Sequence, residues 1–105
     1  MPPATHIPAF LAGVFLCNAL PHLAAGLRCE VFPTPFAKPR GKDHSSPLVN
    51  FLWGMFNLLV GLVLLSRQPV TIGFDPAFIA LMAGALVIGT YLAIHFGKQR
   101  RATQA

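Results

Sequence analysis

The stretch LVNFLWGMFNLLVGLVLLS, residues 48–66, runs for 19 positions without a single Asp, Glu, Lys, Arg or His. At the helical rise of 1.5 Å per residue it extends roughly 28 Å, about the thickness of bilayer hydrocarbon. Helices of soluble proteins rarely stay uncharged for so long. Backbone in hydrocarbon must bond to itself, so a membrane-spanning helix is the expectation.

Two further runs flank it. Residues 7–27 and 76–97 contain no Asp, Glu, Lys or Arg over 21 and 22 positions. The whole chain is 54% hydrophobic and 10% charged, whereas a soluble domain is about 25% charged. The fold class that follows is all-α: three transmembrane helices in a small bundle, with a Pro-rich loop between the first two. A single integral membrane domain covers residues 1–105, with spans at about 7–27, 48–66 and 76–97. The loop is 28–47 and the tail 98–105. Residues 1–6 lack Lys and Arg, and a secretory leader needs a basic start. The first run is therefore expected to stay in place as a span.

Span boundaries carry helix-start chemistry. Ser46-Pro47 and Asp75-Pro76 each put an N-cap side chain before a proline whose missing N–H costs nothing there. Thr5 is the expected cap of the first helix, with Pro8 in its first turn. Gly97 followed by Lys98 predicts the end of the third.

Charge sets the orientation. Arg28, Lys38, Arg40, Lys42, Lys98, Arg100 and Arg101 share one side of a three-span chain, and Arg67 alone lies on the other. By the positive-inside rule, the N-terminus faces out and the C-terminus the cytoplasm. Lys38, Arg40, Lys42, Lys98, Arg100 and Arg101 form the expected lipid-facing cluster on anionic headgroups. The net charge of +5 leaves no basic face for nucleic acid once the apolar runs are set aside. The partners expected are the bilayer, its anionic headgroups, and other membrane proteins or a second copy.

The loop sequence Phe32-Pro33-Thr34-Pro35-Phe36 alternates proline with aromatics, which keeps the backbone extended or turned. Its phenylalanines are expected to dip toward the headgroups. Two uses stand side by side, an interfacial connector and an extended docking segment for a partner.

Polar residues inside spans normally face protein or a cavity. Asn18, His22 and Gly26 form one row on the first span. Asn50, Gly54, Asn57 and Gly61 form one stripe on the second, with Trp53 at its edge. Asn18 and Asn57 both lie roughly 13 Å from the loop-side boundary. A hydrogen bond between them is therefore expected to set the register of the two spans. Pro21 frees the carbonyl of Cys17, for which the Asn57 amide is the expected donor. Ala85, Gly89, Ala93 and Gly97 make a small-residue ridge on the third span. It is suited to packing on span one or two, or on another copy.

His22 and His95 are the candidate cofactor-binding pair, a bis-histidine haem included. They lie roughly 7 and 3 Å inside the loop-side boundary. The competing readings are an interhelical hydrogen bond for His22 and an interfacial position beside Tyr91 for His95. Which cofactor such a pair would hold is unknown from the residues. Cys17 and Cys29 lack metal-ligand spacing and are expected to be free thiols. No catalytic residue or metal site is assigned.

The pattern Asn18-Ala-Leu-Pro-His22, Phe32-Pro-Thr-Pro-Phe36 and Ser45-Ser-Pro-Leu-Val-Asn50, with Trp53, Gly54 and Asn57, resembles a type of small bacterial inner-membrane protein with no assigned activity. The likeness covers residues 7–65 and implies a bacterial inner-membrane address. The length is also that of a small multidrug transporter subunit, but a fourth span and the acidic residue of the first are both missing. The function expected is a non-enzymatic accessory or interaction component of a membrane assembly. The alternative is a transport or cofactor-binding subunit that oligomerises around the Asn/His stripe. A membrane enzyme with His22 as base is the third reading.

Overall fold

The computed structural model describes residues 6–36 and 44–104, with residues 99–104 described for backbone only. Its elements are three helices: α1 (Ile7–Leu27), α2 (Pro47–Arg67) and α3 (Pro76–Gln104). All three are long and apolar enough to cross a membrane. Among the described residues there is no strand, only an isolated antiparallel bridge between Phe32 and Ser45.

The helix ends follow from local chemistry. Ser46 caps α2, its Oγ accepting from the Val49 N–H at 3.2 Å, with Pro47 next. Arg67 sits in the last turn of α2, where a cation complements the helix dipole. At the end of α1 the Glu30 N–H returns to the Ala25 carbonyl and the Cys29 N–H to that of Gly26, a Schellman closure. It places Cys29 at φ 57°, a left-handed position that usually holds glycine.

Two expected ends are revised. Residue Thr5 lies outside the described residues. The N-cap position of α1 is His6, which makes no side-chain cap bond. The cap comes instead from the far end of α2, where Gln68 Oε1 accepts from the Ala9 N–H at 3.0 Å. Helix α3 does not stop at Gly97 but continues to Gln104. A glycine inside a helix costs only about 1 kcal/mol, and the Lys, Gln, Arg and Ala residues that follow are strong helix formers. The apolar, span-length part of α3 ends at Lys98.

Helix α1 is the centre of the molecule. It packs against α2 and against α3, while the α2 and α3 backbones do not approach each other closely. Small residues set both contacts. Gly54 and Gly61 lie under Leu23 and Leu16, and Gly26 lies against the backbone of Phe51. On the other side, a Cβ on Gly13 would stand 1.9 Å from the Leu81 carbonyl oxygen, and one on Gly84 2.0 Å from that of Phe10. The two backbones therefore touch at Gly13–Gly84. Large apolar side chains such as Leu59, Leu62, Leu86 and Val87 point outward, as lipid-facing positions do in spanning helices.

Of the Ala85, Gly89, Ala93 and Gly97 ridge, the first two positions face α1: a Cβ on Gly13 would stand 2.9 Å from the Ala85 amide nitrogen. Ala93 is exposed and Gly97 half-buried. A Cβ on Gly89 would meet only Cys17 Sγ, at an ordinary 3.4 Å. The closest approach is at Gly84, whose bare backbone meets the Phe10 carbonyl.

Candidate functional site

The polar side chains of the first two spans meet at the loop end of the α1–α2 interface. The buried residues of α2 are Asn50, Gly54, Asn57 and Gly61, one stripe turned toward α1. Asn18 Nδ2 donates to Asn57 Oδ1 at 2.8 Å. The Asn57 amide nitrogen donates to the Trp53 carbonyl, one turn back in its own helix, at 2.8 Å. It does not serve the Cys17 carbonyl that Pro21 leaves open. Once Oδ1 faces Asn18, the amide nitrogen points along α2 and reaches the nearest carbonyl there.

Nearer the loop, Asn50 is fully buried. Its amide nitrogen lies 2.9 Å from the Phe32 carbonyl and 3.1 Å from those of Ser45 and Ser46. Carbonyl oxygens only accept, so the nitrogen must face them and Oδ1 must face the other way. There it stands 2.9 Å from His22 Nδ1. The ring nitrogen is consequently the donor, and the neutral imidazole keeps its lone pair on Nε2. One asparagine thus joins α1, both arms of the loop and the start of α2.

An aromatic shell surrounds His22, itself 2% exposed. Phe32, Trp53 and Phe96 meet its ring edge-on, with centroids at 5.5, 6.4 and 6.4 Å. Phe32 also packs on Phe96 at 4.5 Å. Of the two loop phenylalanines, Phe32 is therefore turned into the protein, drawn in by its backbone pairing with Ser45. Phe36 remains outside, 64% exposed, with its ring edge toward Trp53. Thr34 Oγ1 bonds to Ser45 Oγ and accepts from the Phe36 N–H, which fixes both arms of the loop.

His22 and His95 lie on either side of one aromatic neighbour, Phe96. The His95 ring also stacks on Tyr91 at 5.8 Å. Lys98 is exposed. Lys38, Arg40 and Lys42 lie outside the described residues, as do the side chains of Arg100 and Arg101. Cys17 and Cys29 are free.

This chain matches no protein-family model, no curated protein and no solved structure. The reading of the site therefore rests on its geometry.

Chemically, that geometry is one of closure. Among the described residues, no buried side-chain nitrogen or oxygen lacks a hydrogen-bond partner. Asn50 carries no titratable proton, so the His22–Asn50 bond fixes a tautomer and orients a ring without forming a proton relay. Sequence reasoning did not find Phe32 and Phe96 as neighbours of His22, Thr34 and Ser45 as the clasp of the loop, or Gln68 and Gly84 as helix-joining residues. Their only sequence signal was position: small or polar residues at span ends, and glycine within an apolar run.

Proposed function

We propose that this protein is a non-enzymatic accessory or interaction component of a membrane assembly. It sits in a bacterial inner membrane with the basic loop and C-terminal end toward the cytoplasm. The observation that carries the reading is that the intramembrane polar groups are spent on internal closure. Asn18, His22, Asn50 and Asn57 face the α1–α2 interface or the loop, with His22, Asn50 and Asn57 buried and Asn18 half-buried. A transport subunit oligomerising around the stripe would need it on a free surface. The outward surface is instead apolar, and of the two other helices α3 packs against α1, with Phe96 also on the loop's Phe32. That leaves most of α3 for lipid and other spans. Supporting the orientation, seven of the eight Lys and Arg lie on the loop side, where they meet anionic headgroups.

The test is purification from native membranes in nanodiscs, with mass spectrometry of what accompanies the chain. A stoichiometric membrane protein, or a defined self-oligomer, is expected. Its loss is expected on Leu86→Trp, which alters the bulk of the outer face of α3. A visible absorption band at about 400–430 nm that disappears in His22→Ala would replace this reading with a haem subunit. Substrate-dependent flux through the reconstituted chain would replace it with a transporter.

A further inference from the structure

At the end of the bundle away from the basic loop, one buried amide ties α2 to the start of α1. Gln68 is the C-cap of α2 and is buried. A backbone N–H only donates, so the Gln68 atom 3.0 Å from the Ala9 nitrogen must be Oε1. The Gln68 amide nitrogen then faces His6 Nδ1 at 3.0 Å. An amide nitrogen only donates, so Nδ1 must accept, and the neutral ring keeps its proton on Nε2. This is the reverse of His22, whose Nδ1 is the donor.

The contact holds only while His6 is neutral. A second proton on the ring goes to Nδ1 and sets an N–H against the amide N–H groups. Turning the amide over would meet the imidazolium with Oε1 but set the amide nitrogen against the Ala9 N–H. With the groups where they stand, neither orientation serves both donors. The imidazolium would also occupy the N-cap of α1, at the positive end of the helix dipole. Little else fastens this turn. His6 makes no side-chain cap bond, and the inward residues are only Ala9 and Ala12, whereas Ile7 and Leu11 are exposed. The charged side chains at this end are Arg67 on the last turn of α2 and Asp75 before α3. Arg67 is exposed and Asp75 half-buried, and among the described residues neither forms an ion pair with His6. Residues 7–27, 48–66 and 76–97 add no Asp, Glu, Lys or Arg.

We propose that His6 and Gln68 form an acid-sensitive latch: the neutral ring holds the first turn of α1 to the end of α2, and its protonation releases that turn. Histidine ordinarily changes charge between about pH 5 and pH 8. The latch is complete above that range and is lost as the pH falls through it. It goes beyond the accessory role and does not depend on it, since the role is read by co-purifying protein and the latch within the chain itself.

The test is residue-resolved hydrogen exchange by NMR on the full chain in lipid nanodiscs, with rates corrected for the intrinsic effect of pH. Protection of the Ala9 amide is expected to fall about fivefold between about pH 8 and pH 5, the factor that one net hydrogen bond supplies. Amides in the middle of α2 should keep their protection. The fall should follow the ionisation of His6, read from the nitrogen signals of its own ring. His6→Gln leaves every other titratable group in place, and Gln68→Leu removes the shared amide. In both variants the Ala9 protection should be the same at the two pH values. Equal protection at both pH values in the wild type would overturn the proposal. A fall that persists in His6→Gln or Gln68→Leu would overturn it too, assigning the effect to Asp75 or another group. A fall of the same size along all three helices would replace the latch with general acid unfolding.

Discussion

His22 Nδ1 donates to Asn50 Oδ1 across 2.9 Å, and it does so because the other end of the Asn50 amide is claimed by three carbonyls. Asn50→Asp replaces that nitrogen with an oxygen facing acceptors, in a fully buried position. The expected loss is about 2–3 kcal/mol. His22→Phe keeps an aromatic ring among Phe32, Trp53 and Phe96 and leaves the buried, uncharged Asn50 Oδ1 without its donor, for about 1–2 kcal/mol. Reversible unfolding in mixed micelles should rank the two variants in that order. The reverse ranking would mean that the imidazole, and not the amide, holds the loop.

Asn18 and Asn57 form a single interhelical bond of 2.8 Å. Membrane double-mutant cycles put such bonds at about 0.6 kcal/mol. Asn18→Leu, Asn57→Leu and the double variant should show a coupling of that size. Additive losses would show that the bond does not help set the register.

The α1–α3 crossing depends on Gly13 and Gly84, where an added Cβ would collide with backbone oxygen. Gly13→Ala and Gly84→Ala should each cost more than about 2 kcal/mol, while Gly89→Ala should be nearly neutral. A direct check is Gly89→Cys with Cys29→Ser. The new Cβ stands 3.4 Å from Cys17 Sγ, close enough for an intrachain disulfide with little adjustment. Oxidation should shift gel mobility, and failure to crosslink would contradict the placement of α3 on α1.

Gln68 reaches from the end of α2 to the start of α1, with Oε1 on the Ala9 N–H and Nε2 on His6 Nδ1 at 3.0 Å. Gln68→Leu leaves that N–H without its cap and should cost about 1 kcal/mol. Hydrogen exchange should accelerate in the first turn of α1 and not at the loop end. Uniform acceleration would indicate a general loss of packing instead.

Cys29 occupies the left-handed position after α1 at φ 57°, which costs an L-residue about 1–2 kcal/mol. Cys29→Gly should therefore raise stability by about 0.5–1 kcal/mol after the added backbone entropy of glycine is counted. A decrease would show that the thiol makes a contact that offsets the strain.

The spans, their number and the polar stripe were legible in the sequence because hydrocarbon imposes a simple rule. A segment must be long, apolar and helical, and any polar group inside it must turn toward protein. Asn50, Gly54, Asn57 and Gly61 recur at the helical period, and nothing else in α2 competes with them. The Asn18–Asn57 pairing was legible too, since two antiparallel spans joined by one loop place equal distances from that loop at equal depth. What the tertiary structure alone decided is which surfaces meet. An apolar run rich in Gly and Ala offers several close-packing ridges of nearly equal merit, and periodicity does not choose between Gly84 and the row through Ala85. The partners of Asn50 and Gln68 are backbone groups, which every residue carries and no pattern marks. Only the folded chain, with its loop turned back over His22 and the end of α2 brought to the start of α1, brings those carbonyls and that N–H within reach.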